Sequence, residues 1–331
     1  MTIAPPPGYC QLAVTVSLGE TGLTVSRIGL GLAALGRPGY INLGHAADLA
    51  GETEVEAMRV HAHRVLDAAW QAGVRYLDAA RSYGLAEEFL GSWLAARGLG
   101  RGDVTVGSKW GYTYTAGWRV AAEVNEVKDL SVETLRRQEG ESQALLGDTL
   151  ALYQIHSATI ESGVLDDTAV LDELARLRAT GLRIGFTSTG PRQSETIERA
   201  VATGHFDAVQ ATFNLLDRSA GPALAAARGA GLAVIVKEAV ANGRLTGRGD
   251  VPLLIETAAR QHVTPDALAL AFVLAQPWVD VALSGASTAP MLLSNLAALD
   301  VPFKAEVDAR LASVTESPDE YWERRAALPW N

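Results

Sequence analysis

The chain has little cysteine and no long apolar run, and each shortage excludes a class of protein. Cys10 is the only cysteine in 331 residues, so no intrachain disulfide can form, which is typical of a reducing compartment. The longest apolar runs, such as ALALAFVLA (267–275), are far shorter than the ~20 residues that span a bilayer. The opening MTIAPPPGYC lacks the basic start and apolar core of a signal peptide. We therefore expect a soluble cytoplasmic protein with no membrane partner.

Positive charge is also scarce. The chain has 28 lysines and arginines against 38 aspartates and glutamates, a formal net charge of −10. A basic face for nucleic acid is therefore not expected, and a phosphate-bearing ligand needs a local positive site. His61 and His63 lie two apart on a predicted helix and face different sides, so no metal site is predicted. No segment resembles a nucleophile elbow with a serine triad.

Apolar residues are plentiful, at 48%, and from residue 27 onward strand-like and helix-like segments alternate. The predicted strands are 27–32, 74–80, 104–109, 150–156, 182–188, 206–214, 232–239 and 279–285. The predicted helices that follow them are 52–73, 86–98, 131–147, 165–181, 193–204, 221–231, 265–276 and 291–299. Alternation of this kind predicts an α/β fold with a parallel sheet. Eight such units predict a closed (β/α)8 TIM barrel.

The rest of the chain is arranged around that barrel. We predict one domain over residues 1–331, with the barrel at about 27–300 and a C-terminal helix and tail at 301–331. Ahead of the barrel, AVTVSLGETGLTVS (13–26) reads as two short strands around Gly-Glu-Thr-Gly, which predicts a β-hairpin plug. Two segments are predicted to be long loops that shape a site, 35–51 and 111–130.

An open dinucleotide-binding sheet is the rival fold. Its support is the pattern Gly29-x-Gly31-x-x-Ala34, a loose form of the dinucleotide fingerprint. No helix signal opens at Ala34, because GRPGYINLG follows and is typical of a loop. The barrel is the favoured interpretation.

Four polar residues mark the ends of consecutive predicted strands. Asp78 lies near the end of VRYLDAA, Tyr83 follows it in RSYG, Lys109 closes VTVGSK and His156 closes LALYQIH. Barrel active sites lie at the carboxyl ends of the strands, and adjacent strands are ~5 Å apart. Each residue taken alone also has a purely structural explanation: Asp78 as a helix cap, Lys109 as a snorkelling side chain, His156 as a buried core residue and Tyr83 as an ordinary loop residue. Together they predict one catalytic site.

Their charges suggest a division of labour. A phenol is a poor acid at neutral pH, but a nearby ammonium lowers its pKa. Lys109 can supply that ammonium, and Asp78 can hold it charged. Tyr83 then acts as general acid, or as base in reverse, and His156 orients a substrate oxygen. A group that protonates an oxygen suits carbonyl reduction. That reaction also needs a hydride, which no side chain can supply, so a nicotinamide cofactor is implied.

At these residues the chain resembles the aldo-keto reductase family. The resemblance rests on YLDAARSYGLAEEFLG (76–91), SKWG (108–111) and LALYQIHS (150–157), and it runs from about residue 16 to residue 300. It implies an (α/β)8 barrel that binds NADPH or NADH in extended form. It also implies that Asp78, Tyr83, Lys109 and His156 form the family's catalytic tetrad.

The same resemblance assigns cofactor contacts. Thr187, Ser188 and Gln210 would approach the carboxamide, and Phe213 would stack on the nicotinamide. The loop after strand seven would wrap the pyrophosphate through Ala239, Val240, Asn242, Gly243 and Leu245. The segment after strand eight would hold the phosphate and adenine through Gly285, Ala286, Ser287, Met291 and Asn295, in agreement with the general position of phosphate sites in barrels.

Three departures from the family pattern affect these assignments. Glu238 begins the strand-seven loop where Ser-Pro-Leu is common, and Ser188 stands where many members carry Asn. The cations that hold a 2′-phosphate in NADPH-dependent members are replaced by Gly285, Ala286 and Met291. Arg248 is placed to compensate, so NADP and NAD both stay open.

Substrate contacts follow from the aromatic residues of three regions that shape the pocket in the family. We predict Tyr40, Trp110, Tyr112 and Trp118 as substrate-binding residues, with Tyr114 in the same loop; the alternative is that these rings only seal loops onto the barrel. Tyr321, Trp322 and Trp330 mark the tail.

The predicted function is interconversion of a carbonyl compound and an alcohol. Two alternatives are a nicotinamide-sensing subunit with little turnover and C=C reduction, which His156 disfavours. Oligomeric state is left open.

Overall fold

The computed structural model describes residues 15–331 and shows a closed barrel of eight parallel strands. The strands in chain order are β1 Thr15–Ser17, β2 Thr24–Ser26, β3 Ile28–Gly31, β4 Tyr76–Asp78, β5 Thr105–Trp110, β6 Tyr112–Tyr114, β7 Glu126–Lys128, β8 Leu150–Ala158, β9 Arg183–Ser188, β10 Ala208–Thr212, β11 Ala233–Lys237 and β12 Val281–Ser284. The barrel order is β3-β4-β5-β8-β9-β10-β11-β12, and β12 pairs back onto β3. The predicted TIM barrel is confirmed and the open-sheet alternative is wrong.

Helices surround the barrel; most connect successive strands, and the last three follow β12. They are α1 His45–Leu49, α2 Val55–Gln71, α3 Ala86–Arg97, α4 Val132–Leu146, α5 Thr168–Ala179, α6 Gln193–Thr203, α7 Gly221–Gly229, α8 Pro252–Arg260, α9 Pro265–Leu274, α10 Ala289–Leu296, α11 Ala305–Leu311 and α12 Pro318–Ala326. Several begin at a side-chain cap, as at Ser131, whose hydroxyl accepts from the Thr134 amide. Within residues 15–331, no helix is long and apolar enough to cross a membrane.

The plug closes the amino-terminal end of the barrel. β1 and β2 form an antiparallel hairpin, and Leu18 and Val25 are completely buried with the inward-facing residues of the barrel strands. Gly19 has φ +52°, and a Cβ there would lie 2.7 Å from the backbone of Ala233 at the start of β11, so only glycine fits. Residues 13 and 14 of the predicted hairpin, and Cys10, lie outside the described residues. The opposite end, where the strands finish, is left for a site.

Strand alternation decides which side chains enter the barrel. Ala208 of β10 and Ile235 of β11 belong to the interior cluster, whereas Val209 and Val236 pack outward against the helices. Because side chains alternate along a strand, Gln210, Thr212 and Lys237 also face the interior, toward its carboxyl end. The strands therefore carry apolar residues at the plugged end and polar ones at the open end.

Three segments differ from the predictions. The predicted loop 111–130 contains the hairpin β6–β7, and the predicted loop 35–51 contains α1. Helix α8, between β11 and α9, was not predicted. It buries only Leu254, Thr257 and Ala258, and its short length gives a weak periodic signal. The assignment of residues 1–331 to one domain stays a prediction.

Candidate active site

Asp78 and Lys109 form a buried ion pair at the carboxyl end of the barrel. The Lys109 ammonium donates to the Asp78 carboxylate and, at 2.9 Å, to the carbonyl of Ala79. The second carboxylate oxygen accepts from Gln210 at 2.9 Å and from the Tyr76 hydroxyl at 3.3 Å. Both charged side chains are almost completely buried. A buried pair of this kind is tolerated because each charge is hydrogen-bonded.

Tyr83 and His156 meet beside that pair. The Lys109 nitrogen lies 5.0 Å from the centre of the Tyr83 ring. The Tyr83 ring is edge-on to the His156 imidazole, with centroids 5.6 Å apart, and Tyr112 contacts the same imidazole at 5.0 Å. The structure therefore brings the four predicted catalytic residues together.

Burial sets the protonation states of the two rings. It raises the pKa of Tyr83 well above its ordinary value, the Asp78 carboxylate adds to that shift, and the Arg37 guanidinium opposes it. This differs from the expected lowering by Lys109, because loss of hydration outweighs the nearby positive charges. Burial and the positive charges of Lys109 and Lys237 lower the pKa of His156 well below its ordinary value. The site thus holds a protonated phenol and a neutral imidazole.

A cavity of about 660 Å³ opens above these residues, a size typical of small-molecule sites. Asp78, Tyr83 and His156 line one end of it. The predicted cofactor residues that line the rest are Thr187, Gln210, Ala239, Val240, Asn242, Gly243, Arg248, Gly285, Ala286, Met291 and Asn295. Tyr40 and Tyr112 also line it. Lys109 lies behind Asp78, outside the lining.

Several predicted contacts lie away from the cavity. Phe213 stacks on Phe272 at 5.3 Å and is edge-on to Trp278 at 4.9 Å, so its ring lies outside the cavity lining and its stacking on a nicotinamide stays a prediction. The reason for this placement is strand alternation: Thr212 faces inward, so Phe213 faces the helices. The other predicted cofactor residues outside the lining are Ser188, Leu245 and Ser287, all of them buried.

Two of the predicted substrate aromatics also lie elsewhere. Trp110 follows the inward-facing Lys109, so alternation turns its ring outward, where it is completely buried in the core. Trp118 donates from its indole nitrogen to the carbonyl of Thr53 at 2.7 Å and packs edge-on to Phe89. Both rings stabilise loops and helices and lie outside the cavity lining, so substrate binding by Trp110 and Trp118 stays a prediction that this placement does not support.

Comparison with known proteins identifies the family of the chain. The model of the Aldo/keto reductase family matches residues 27–316. The chain belongs to the aldo/keto reductase family.

Its relatives within that family are distant. It is 27% identical to an NADH-specific methylglyoxal reductase of Escherichia coli over 89% of this chain and 96% of the relative. It is 26% identical to a D-threo-aldose 1-dehydrogenase of a Pseudomonas species over 86% and 95% of the two chains. The fold is similar to the holo form of an aldo-keto reductase from Bacillus halodurans, with a TM-score of 0.70 and 24% identity over 92% of this chain and 97% of that one.

This aldo/keto reductase has further polar side chains at its catalytic end, which the sequence motifs did not assign to the site. Lys237 ends β11 and Glu238 directly follows it, so the same strand-end rule that selected Asp78 applies to them. Arg37 comes from the first loop and Arg325 from α12, and no spacing in the sequence indicates that they meet. The added lining residues of this end are Arg37, Glu126, Lys237, Glu238, Arg325 and Trp330.

Glu238 joins the barrel to the C-terminal helix. One carboxylate oxygen accepts from Arg325 Nε at 2.7 Å and lies 2.6 Å from the Nη2 atom of the same guanidinium. The other oxygen accepts from Thr212 and Tyr321 at 3.2 Å each. Burial alone would raise the pKa of Glu238, but the positive charges of Arg325 and Lys237 lower it to about 2. The departure from the family's common Ser-Pro-Leu thus builds a structural anchor for α12.

The cavity fits a nicotinamide dinucleotide in two respects. It runs from the tetrad to the loops after β11 and β12, where barrels commonly bind phosphate. The side-chain oxygen of Asn242, which lines it, is buried and has no hydrogen-bond partner among the described residues. At Gly285, which also lines it, an added Cβ would meet only the Asn42 amide nitrogen, at 4.0 Å, among the described atoms outside its chain neighbours. Polar groups and open space are thus available where the pyrophosphate and adenosine are expected.

Proposed function

We propose that this aldo/keto reductase interconverts an aldehyde, ketone or sugar and the corresponding alcohol, with Tyr83 as the proton donor and acceptor. The observation that supports this most directly is the convergence of Tyr83, His156 and the Asp78–Lys109 pair at one end of the cavity. A nicotinamide cofactor, when bound, supplies or accepts the hydride. The residues that would hold it are those that line the cavity from Thr187 and Gln210 to Asn295.

The tetrad suits protonation of an alkoxide. The neutral His156 ring can donate its one N–H to a carbonyl oxygen, which orients and polarises the carbonyl. An oxygen that has accepted hydride at its carbon becomes an alkoxide, a stronger base than a phenolate, so Tyr83 can protonate it even with a raised pKa. The phenolate left behind lies beside the ammonium of Lys109, which stabilises its charge.

Replacement of Tyr83 by phenylalanine tests this assignment. We expect kcat for aldehyde reduction to fall by about 10²- to 10⁴-fold, the usual contribution of a positioned general acid, while cofactor affinity, measured by fluorescence titration, stays close to that of the wild type. Tyr153→Phe is the matched control, because Tyr153 is buried away from the cavity and its hydroxyl has no partner among the described residues.

Retention of more than about a tenth of the wild-type rate by the Tyr83 variant would contradict the acid role. A wild-type protein that binds cofactor tightly but reduces no member of a broad panel of aldehydes, ketones and sugars would favour the nicotinamide-sensing alternative. The two outcomes are distinct, since the second concerns turnover before any substitution.

We further infer a preference for NAD over NADP. Arg248, the cation expected to compensate for the missing 2′-phosphate contacts, donates to the Asp48 carboxylate at 2.6 Å. The second oxygen of Asp48 accepts from Ser287 at 2.9 Å. A 2′-phosphate at this end of the cavity would meet a neutralised arginine and a carboxylate, and like charges repel. A ribose hydroxyl, in contrast, can donate to a carboxylate.

A further inference from the structure

Among the described residues that line the catalytic end of the cavity, Lys237 is the one cation whose neighbouring carboxylate is already paired with another cation. The three carboxylates that line this end each accept a hydrogen bond from a different cation. The pairs are Asp78 with Lys109, Glu126 with Arg37, and Glu238 with Arg325. These pairs leave the fourth cation, Lys237, as an excess positive charge among the residues described there.

The ammonium of Lys237 is only partly satisfied. It donates to the Thr212 hydroxyl at 3.0 Å. Its nearest carboxylate oxygen, on Glu238, is 4.0 Å away and already accepts a hydrogen bond from Arg325, whose second guanidinium nitrogen lies 2.6 Å from the same oxygen. An ammonium has three donors, so Lys237 retains hydrogen-bonding capacity toward the cavity that it lines.

The position of Lys237 places that capacity beside the reacting groups. It faces the barrel interior at the end of β11, next to Thr212 of β10. Lys237 and His156 both line the cavity, and the charge of Lys237 contributes to lowering the pKa of His156. The Lys237 side chain is 18% exposed, and burial lowers its pKa to about 8. Such a partly desolvated cation gains more from an anionic partner than a fully hydrated one.

We propose that Lys237 is a specificity-determining residue that binds a carboxylate on the substrate, so that the preferred substrates are oxo acids, and in reverse hydroxy acids. The proposal rests on the proposed carbonyl–alcohol activity. The aromatic rings of Tyr40, Tyr112 and Trp330 line the same end of the cavity and accommodate the carbon skeleton between carboxylate and carbonyl. The overall charge of −10 makes a local positive group necessary if an anion is to bind.

A series of acid and ester pairs tests the proposal. The pairs are glyoxylate, succinic semialdehyde and para-formylbenzoate, each with its methyl ester, so that the carbonyl is matched and its separation from the carboxylate varies. We expect the acid to have the higher kcat/KM in at least one pair. In Lys237→Met, the acid-to-ester ratio for that pair should fall by about tenfold to a hundredfold, as is typical for the loss of a hydrogen bond to a charged group.

Lys304→Met is the matched control, because Lys304 is exposed at the start of α11, away from the cavity. The acid-to-ester ratio of kcat/KM for this variant should equal that of the wild type. Lys237→Arg keeps the positive charge and should retain part of the acid preference. The proposal is overturned if no pair favours the acid, or if Lys237→Met leaves the ratio unchanged.

Equilibrium binding separates this inference from the proposed activity. Benzoate and benzamide are matched in shape and cannot be reduced, so their affinities for the NADH-loaded protein, measured by titration calorimetry, do not depend on turnover. We expect the wild type to favour benzoate and Lys237→Met to lose that preference by about tenfold or more. If the wild type prefers benzoate to benzamide but reduces no aldehyde, only the proposed activity is refuted. If the wild type binds benzoate and benzamide with equal affinity, the role of Lys237 is refuted.

Discussion

Replacement of Glu238 by glutamine is expected to destabilise the protein by about 3 kcal/mol at neutral pH. The carboxylate is 8% exposed and its pKa is lowered to about 2 from an ordinary value of 4.5. Each pKa unit corresponds to about 1.4 kcal/mol. Glutamine has nearly the shape of a protonated glutamate, so the substitution removes the charge and leaves Arg325 without its carboxylate partner.

The pH dependence provides the sharper test. Because the folded-state pKa of Glu238 is lowered, its contribution is fully present above the unfolded-state value of about 4.5 and is lost as the pH falls through about 2. Linkage predicts that the deficit of the variant shrinks from about 3 kcal/mol at pH 7 to about 1 kcal/mol at pH 3. Urea unfolding at both pH values, followed by tryptophan fluorescence, measures this difference.

Glu195→Gln provides the control for the loss of a carboxylate as such. Glu195 also contacts an arginine, Arg192, but on the open surface, where ion pairs contribute little. We expect its unfolding midpoint to match the wild type at both pH values. A Glu238 deficit that is the same at both pH values, or that is absent at neutral pH, would refute the assignment of this carboxylate as the charged anchor of α12.

Two further predictions concern cofactor binding. Asp48→Asn removes the carboxylate that engages Arg248, so the ratio of NADPH to NADH affinity should rise by about tenfold in a fluorescence titration; an unchanged ratio would show that Asp48 does not contribute to cofactor choice. Phe213→Ala should lower the free energy of unfolding by about 3–5 kcal/mol, as is usual for a buried phenylalanine, and a large loss of cofactor affinity in the folded variant would support the stacking role.

The catalytic end was predictable where a strand carries the residue. Asp78, Lys109 and His156 each lie at or near the end of an apolar segment, and closure of the barrel brings such ends together. Tyr83 follows β4 closely enough to share that position. The alternation of strand and helix segments along the chain thus indicates both the barrel fold and the placement of these side chains at its carboxyl end.

Side-chain direction was predictable too, but only once the interior face of each strand is known. Given that Lys109 faces inward, Trp110 must face outward, and given Gln210 and Thr212, the same holds for Phe213. An aromatic residue at a strand end therefore indicates a binding site only if it is an even number of residues away from the polar residues that face the barrel interior, because only then does it lie on the same side of the strand.

Arg37, Arg325 and Trp330 illustrate what local sequence does not determine. They reach the site from a loop and from the tail, and their contacts depend on the packing of distant segments. The Arg37 guanidinium lies 4.6 Å from the Trp330 ring and 5.4 Å from the Tyr83 ring, a cation–π arrangement between parts of the chain separated by most of its length. No periodicity in the sequence encodes such a contact.

Glu238 connects these two classes of residue. It directly follows a barrel strand, so its position follows from local sequence, yet its hydrogen bonds with Tyr321 and Arg325 hold the tail that completes the cavity. Its φ of +56° is unfavourable for a residue with a side chain. The backbone turns there directly after the inward-facing Lys237, and the carboxylate still reaches α12. Adjacent residues thus have separate tasks: the carboxylate fixes the wall of the cavity, and because Arg325 occupies it, the neighbouring ammonium remains available to a ligand.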